Sequence, residues 1–247
     1  MNLSKLKVKY DKNGYIVIRK LLKKKQIKTI FSELNIIKLK AENTKNNQFF
    51  HKTKDGKINT LHNIQKFYKK GKLIDIANKR SIKKILNYLL NEKARIRNLE
   101  FFLKPKITGM PSPFHQDNYY WNIKEAKAAN VWIALSRSSK INGGLCYLKG
   151  SHKLGTINHV VSYMKGSSQK IPDNIIKSLN FPKIFPKINP GDCIIHHPEI
   201  IHGSAHNKSN YDRIGFVISF AANKSKIYME KLKEYKEKLK NNLKKIY

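Results

Sequence analysis

Residues 111–122 read P-S-P-F-H-Q-D-N-Y-Y-W-N and place a histidine, His115, one position away from an aspartate, Asp117. On a β-strand alternate side chains share a face, so both groups would point one way and Gln116 the other. An imidazole beside a carboxylate supplies two of the three ligands of a two-histidine, one-carboxylate iron site. An ordinary structural pair is the alternative, because short motifs of this kind are common by chance. A metal site therefore needs a third ligand from elsewhere in the chain.

The length of 247 residues fits a single domain, because all-β barrels and sandwiches of this size commonly fold as one unit. With 40% hydrophobic residues the chain can build a sizeable core. It contains no run of about 18 apolar residues, so the sequence predicts no membrane span. The first residues carry lysines but no apolar segment of a secretory signal, which indicates a cytoplasmic protein.

The formal net charge is +35, from 51 lysines and arginines against 16 acidic residues. Such a charge favours nucleic acids, anionic membranes or anionic substrates as partners. The lysines, however, are mixed with many isoleucines and asparagines and are spread along the whole chain. A compositionally biased genome would produce the same pattern, so the charge can have a functional or a compositional origin.

Hydrophobic periodicity divides the chain into three regions of one domain. Residues 1–95 predict a mixed, mainly helical region, with a short strand at 15–18, an amphipathic helix after it and a second helix at about 73–90. Residues 96–223 carry short β-branched and aromatic runs, which predict a β core. Residues 224–247 predict a helix with one apolar stripe and lysines elsewhere. We expect the N-terminal region and this last helix to pack on the outside of the core.

Turn signals predict the connections within the β core. Pro105 should end a strand at the residue before it. Asn142 and Gly143 predict a hairpin turn between a strand at 128–136 and the strand that follows. Residues 155–187 show little periodicity, and long irregular segments in compact domains tend to be lids or binding loops. We expect this segment to cover the site.

Four histidines compete to be the third ligand: His196, His197, His202 and His206. If the segment S-A-H-N-K-S-N is a hairpin turn centred on residues 207 and 208, His202 lies directly opposite Arg213. A histidine able to bind iron would then face an arginine able to hold a carboxylate through two hydrogen bonds. The other three histidines lie before Pro198 or at the edge of the turn, so packing or supporting roles are expected for them. His202 is the predicted third ligand.

Taken in order, these motifs resemble the phytanoyl-CoA dioxygenase family of Fe(II)- and 2-oxoglutarate-dependent oxygenases. The resemblance runs from N-G-Y-I-V-I-R-K-L-L through K-P-K-I-T-G-M-P-S-P-F-H-Q-D-N-Y-Y-W, V-W-I-A-L, N-G-G-L, K-G-S-H and P-G-D to H-G-S-A-H-N-K-S-N-Y-D-R. It implies a double-stranded β-helix, a cupin-like jelly-roll barrel with helices packed outside. One departure is Lys149, where the family usually has proline before G-S-H, and it lies outside the set of ligands.

The resemblance also implies roles for individual side chains. It matches His115, Asp117 and His202 to the iron ligands, Arg213 to the residue that binds the distal carboxylate of 2-oxoglutarate, and Gln116 and Trp132 to positions that border this co-substrate. Fe(II), 2-oxoglutarate and O2 are the implied cofactor and co-substrates, and succinate and CO2 the implied products. Halogenating relatives lack the carboxylate ligand, so Asp117 favours hydroxylation.

The predicted function is therefore hydroxylation of a small molecule, and the basic chain and aromatic residues would suit an anionic or polar one. One alternative is a nucleic-acid-directed oxygenase or a basic nucleic-acid-binding protein, suggested by the net charge. Nucleic-acid demethylases of the wider superfamily usually carry a second arginine six residues after the first, where this chain has Ser219. The other alternative is a non-catalytic jelly-roll binding protein, against which the intact ligand set speaks.

Overall fold

The computed structural model describes residues 1–43, 49–69, 71–164 and 166–246, with side chains through residue 240. The helices in these ranges are α1 (Leu3–Asn13), α2 (Lys24–Glu42), α3 (Ile64–Phe67), α4 (Lys72–Ala77), α5 (Arg80–Leu90), α6 (Asp117–Trp121), α7 (Asp173–Ser178) and α8 (Met229–Ile246). The strands are β1 (Tyr15–Ile18), β2 (Phe50–Lys52), β3 (Ile58–Leu61), β4 (Ala94–Lys104), β5 (Ser112–His115), β6 (Ala128–Ala134), β7 (Leu145–Leu148), β8 (Val160–Met164), β9 (Ser167–Lys170), β10 (Lys183–Ile184), β11 (Cys193–His196), β12 (His202–Ser204) and β13 (Arg213–Ala222).

Two antiparallel sheets form the centre of the fold. The larger sheet has the strand order β1-β11-β6-β13-β4-β3-β2, and the smaller sheet has the order β10-β7-β12-β5. Trp132 and Val217 from the larger sheet pack in one cluster with Tyr147 from the smaller sheet, so the two sheets face each other. The predicted fold class, a mainly β jelly roll with flanking helices, is confirmed. The sheets do not close into a barrel, because β1 and β2 remain the edges of one and β10 and β5 the edges of the other within the described residues.

Alternation along the strands of the larger sheet decides which side chains meet the helices. The residues that join the helical core cluster are Ala129, Val131 and Ile133 on β6 and Phe216, Ile218 and Phe220 on β13. They belong to the same core as the apolar stripes of α2 and α5, which include Ile30, Leu34, Ile82 and Ile85. The residues between them in sequence point to the opposite face, toward the smaller sheet. Asn130, Trp132, Val217 and Ser219 therefore face the space between the sheets.

The N-terminal region contains more strand than its sequence predicted. The predicted strand is present as β1, which pairs with β11. The weakly patterned residues after α2 add β3 and β2 to the edge of the larger sheet, beyond β4. All four residues of β3 are buried, so this strand shows none of the alternation by which a half-buried strand is recognised. The predicted helix at 73–90 is two helices, α4 and α5, and α1 was not predicted.

Both hairpins predicted within the β core are wrong. β6 pairs with β11 and β13, whereas β7 pairs with β12 and β10, so the turn at Asn142 and Gly143 joins the two sheets. In the same way β12 lies in the smaller sheet and β13 in the larger one, and Arg213 is opposite Lys104 instead of His202. Successive strands alternate between the two sheets from β4 to β7 and again from β10 to β13. A turn signal is the same whether the chain reverses within a sheet or crosses between sheets.

The predicted strand end is confirmed, since β4 stops at Lys104, directly before Pro105. Residues 155–187 are less irregular than expected, because they contain the β8–β9 hairpin, α7 and β10. The predicted C-terminal helix is present as α8. No helix in the described part of the chain combines the length and the apolar character needed to cross a membrane.

A buried asparagine stabilises the loop that connects β12 to β13. Asn207 is fully buried, and its Nδ2 donates to the carbonyl oxygens of Pro105, Tyr211 and Lys104, the last at 2.9 Å. Its Oδ1 accepts from the backbone N–H of Ser209 at 3.0 Å. These bonds satisfy backbone groups that the crossing chain would otherwise leave without partners.

We predict that Asn207→Ala lowers the free energy of unfolding by about 2 kcal/mol, because buried carbonyl groups lose their donor. The matched change Asn210→Ala, at an exposed position of the same loop, should shift it by less than about 0.5 kcal/mol. Denaturant unfolding of the two variants measures the difference. Equal losses of stability would contradict the role given to Asn207.

Candidate active site

Three side chains that are far apart in the sequence meet between the sheets. His115 ends β5 and lies opposite His202 of β12, while Asp117 is the first residue of α6. The Oδ1 atom of Asp117 is 3.7 Å from Nε2 of His115 and 3.8 Å from Nε2 of His202. The candidate ligand atoms of the group all lie within 4.8 Å of one another. An ion bound by all three atoms would draw them slightly closer together, because atoms about 2 Å from one ion lie at most about 4 Å apart.

Asp117 lies on a helix and not on the predicted strand. β5 ends at His115, Gln116 is the residue before the helix, and Asp117 begins α6. The predicted continuous strand through His115 and Asp117 is therefore wrong. An aspartate suits the first turn of a helix, where the free backbone N–H groups favour negative charge.

Backbone carbonyls set the orientation of both imidazoles. Nδ1 of His115 is 2.8 Å from the carbonyl oxygen of Pro113, and Nδ1 of His202 is 3.0 Å from that of Ile200. A ring that donates through Nδ1–H leaves the lone pair of Nε2 for a metal. Burial and the neighbouring His202 lower the pKa of His115 to about 4, and burial also lowers the pKa of His202. Both rings are thus neutral at pH 7, as metal ligation requires.

The second oxygen of Asp117 is held by the larger sheet. Its Oδ2 accepts from Nδ2 of Asn130 at 2.6 Å and from Nε2 of His196 at 3.1 Å. Nδ1 of His196 is 3.0 Å from the hydroxyl of Tyr147, which can donate to it. Burial by itself raises the pKa of Asp117, but His202 and the bond from His196 outweigh burial and keep this pKa below its ordinary value. The carboxylate is therefore fixed and charged, with Oδ1 directed toward the two ligand histidines.

A cavity of about 750 Å³ adjoins these ligands, and Arg213 and Trp132 contribute to its wall. Arg213 is 1% exposed, and its guanidinium carbon lies 5.3 Å from the centroid of the Trp132 ring. Its Nε and Nη1 are buried with no hydrogen-bond partner among the described residues. Burial lowers the pKa of Arg213 to about 9, so the group is still charged at pH 7. A buried cation with free donors fits a carboxylate, which accepts two parallel bonds from a guanidinium.

The structure places Gln116 apart from the other predicted site residues. Its Nε2 donates to the carbonyl oxygens of Gly155 and Glu199, both at 2.7 Å, and its Oε1 accepts from the N–H of Ile157 at 2.8 Å. These bonds fasten the segment after β7 beside α6. His115, Asp117, His202, Trp132 and Arg213 are all in the cavity wall, where Gln116 is absent from the described lining residues.

The sequence predicted a packing or supporting role for His196, which donates to Asp117, but it did not identify Asn130 or Ser219. Asn130 also accepts from the hydroxyl of Ser219 at 2.6 Å, so these two residues and His196 support one carboxylate. One signal was present in the sequence, because Asn130 is a polar residue inside the apolar run A-A-N-V-W-I-A and shares the face of Trp132. His197, by contrast, packs against Tyr10, with ring centroids 5.9 Å apart.

Facing antiparallel sheets around two histidines and one carboxylate are the arrangement of a non-haem iron oxygenase. A family model described as phytanoyl-CoA dioxygenase (PhyH) matches residues 10–215. The chain belongs to this family, and the predictions of family and of enzyme class, a dioxygenase, are confirmed.

Individual relatives agree with the family match. A probable phytanoyl-CoA dioxygenase of Caenorhabditis elegans is 26% identical over 220 residues, which cover 81% of this chain and 69% of that protein. A phytanoyl-CoA dioxygenase of Arabidopsis thaliana is 30% identical over 118 residues, but these cover only 48% of this chain and 41% of that protein. A crystal structure of EctD from S. alaskensis with 2-oxoglutarate and 5-hydroxyectoine superposes with a TM-score of 0.74 at 15% identity. It covers 91% of this chain and 77% of EctD, and it supports the fold.

We predict that His202→Ala abolishes tight binding of Mn(II), used as a redox-stable substitute for Fe(II), because two ligands cannot replace three. His206→Ala, four residues along the same segment, should bind Mn(II) as the unmodified protein does. Titration calorimetry measures both affinities. Loss of Mn(II) binding in both variants, or in neither, would contradict the predicted ligand set.

We also predict that Asn130→Ala weakens Mn(II) binding about 10- to 100-fold while all three ligands remain, because Asp117 loses the bond that orients it. Ser219→Ala should have a smaller effect, since Ser219 acts on Asn130 and not on the carboxylate itself. The same titrations rank the two variants. An unchanged affinity in Asn130→Ala would show that the carboxylate needs no such support.

Proposed function

We propose that this protein is an Fe(II)- and 2-oxoglutarate-dependent dioxygenase that hydroxylates a small molecule. The observation that carries the proposal is the meeting, in one cavity wall, of the group His115, Asp117 and His202 with a buried arginine whose donors are free. The three candidate ligands alone would suit several metals, and the arginine alone would suit any anion. Together they match a metal and a carboxylate-bearing co-substrate that bind side by side.

In this proposal His115, Asp117 and His202 hold the Fe(II) on one side and leave the opposite positions open. When bound, the iron would activate O2, so that one oxygen atom oxidises 2-oxoglutarate to succinate and CO2 and the other hydroxylates the substrate. The side chains of the protein orient and enclose the reactants. Asp117 keeps one oxygen on Asn130 and His196, so its other oxygen is directed at the metal position.

Arg213 is proposed to bind the distal carboxylate of 2-oxoglutarate. Its burial makes the bond strong, because water does not compete for the guanidinium donors. Trp132 lies against Arg213 and limits where the guanidinium can point. Gly215 allows this contact, since a Cβ atom at that position would collide with the Trp132 ring.

A small-molecule substrate is supported by the named relatives and by the cavity beside the candidate ligands. The related proteins carry the name phytanoyl-CoA dioxygenase, and the EctD structure contains 5-hydroxyectoine. The intact ligand set supports an enzyme over a non-catalytic binding protein. The proposed role of Gln116 is to support the segments at Gly155 and Glu199 through its hydrogen bonds, and not to border the co-substrate.

We predict that Arg213→Met raises the 2-oxoglutarate concentration needed for half-maximal succinate formation at least tenfold, because the co-substrate carboxylate loses its buried partner. Mn(II) affinity should stay unchanged, since Arg213 is not a ligand. Arg95→Met, which removes an exposed arginine, is the matched control and should leave both values unaltered.

Succinate assays with Fe(II), and calorimetry of 2-oxoglutarate binding to the Mn(II)-loaded protein, test the proposal in two independent ways. Protein that binds Mn(II) but neither binds 2-oxoglutarate nor forms succinate would be a non-catalytic binding protein. An unchanged 2-oxoglutarate requirement in Arg213→Met would refute the role of this residue.

A further inference from the structure

A second arginine enters the cavity from an irregular point of β4. Ser219 and Phe220 of β13 pair with Asn98 and Ile96, so Arg97 is an extra residue in the β4 ladder. Such a β-bulge turns a side chain out of the regular alternation, and bulges are frequent beside active sites. Arg97 is in the cavity wall, at the level where Ser219 meets Asn130.

The charge of Arg97 has no direct counter-ion in the described part of the chain. Its guanidinium carbon lies 4.7 Å from the ring centroid of Trp121, which fixes its position without neutralising it. The carboxylate of Glu100, in the same wall, is 2.8 Å from Nδ1 of His62. Burial lowers the pKa of Arg97, although Glu100 and Asp117 oppose this shift from a distance. The group is therefore a partly desolvated cation with free donors.

Arg97 and Arg213 lie far apart along β4 and β13, and their guanidinium groups contact different tryptophan rings, Trp121 and Trp132. Arg213 is opposite Lys104, and Arg97 precedes Lys104 by seven residues on the same strand, which separates the two positions by roughly 20 Å. The five-carbon chain of 2-oxoglutarate spans only about two residues of extended strand, or roughly 7 Å. If Arg213 takes the co-substrate, Arg97 is left for a second anion.

An aromatic wall lies beside the metal ligands in the cavity that Arg97 also lines. The Tyr120 ring is 5.9 Å from that of His115, and Tyr235 of α8 is 5.7 Å from Tyr120. Leu239 of α8 and Met164 of β8 add apolar surface to the same cavity. A ligand held by Arg97 would therefore lay an apolar body along this wall, next to the ligand histidines.

We propose that the substrate is a small organic carboxylate, whose anionic group is bound by Arg97 and whose apolar body packs on Tyr120 and Tyr235. For the hydroxylation itself this inference rests on the proposed function. Binding of a carboxylate at Arg97 does not depend on it. The hydrophobic portion of the anion must be short, because Arg97 and the metal ligands line the same cavity.

The test uses the whole 247-residue chain loaded with Mn(II) and saturating 2-oxoglutarate, so that Arg213 is occupied. Calorimetry with 3-phenylpropanoate, 3-phenylpropanol and 3-phenylpropylamine compares one apolar body with three head groups. We expect the carboxylate to bind at least tenfold more tightly than the alcohol, and the amine most weakly. Arg97→Met should remove the preference for the carboxylate, Arg97→Lys should retain part of it, and Arg95→Met should leave it intact.

A variant of the aromatic wall tests the contribution of the apolar body separately from that of the head group. Tyr235→Ala should weaken the carboxylate and the alcohol by a similar factor, whereas Tyr228→Ala, at an exposed tyrosine before the same helix, should change neither. A carboxylate that binds no more tightly than the alcohol would overturn the proposal. So would a preference that survives Arg97→Met, or a complete lack of binding by all three probes. Failure of 2-oxoglutarate to bind would count against the proposed function instead, and titrations on the Mn(II)-loaded protein would still report on Arg97.

Discussion

The carboxylate of Asp117 joins the two sheets into one site. One of its oxygens accepts hydrogen bonds from Asn130 of β6 and His196 of β11, both in the larger sheet. The other oxygen faces His115 and His202, which come from paired strands of the smaller sheet. A buried carboxylate is tolerated only when its oxygens have partners, so the two sheets must stand at one separation for this site to form. The position of the metal ligands is in this sense a property of the whole sandwich.

One alternation pattern produces both the core and the site. On β6 and β13 the residues of one face are the alanine, valine, isoleucine and phenylalanine side chains that meet the helices, while the other face carries Asn130, Trp132, Arg213 and Ser219. The helices shield the larger sheet from water on the first face. The polar groups on the second face therefore lie on strands that are packed from behind, which favours a precise site.

Residues near one another in sequence were the easiest to predict. The strand β1, the end of β4 before Pro105 and the helix α8 follow from local patterns, and the grouping of candidate ligands came from motif order. Strand pairing could not be predicted from local patterns. The turns at 142–143 and 207–208 have the sequence of hairpin turns, but they connect strands of different sheets. Asn130 and Arg97 were missed for related reasons. The first depends on which face of β6 meets the ligands, and the second on a bulge that only the paired strand reveals.

The helix α8 closes one side of the cavity through Tyr235 and Leu239, yet it begins beyond residue 215, where the match to the family ends. The ligands and Arg213 all lie inside the matched part. One wall of the cavity that Arg97 lines is thus built partly from a segment outside the matched residues. A protein built this way can acquire a new choice of molecule by exchanging its last helix, while the machinery of oxidation is inherited unaltered.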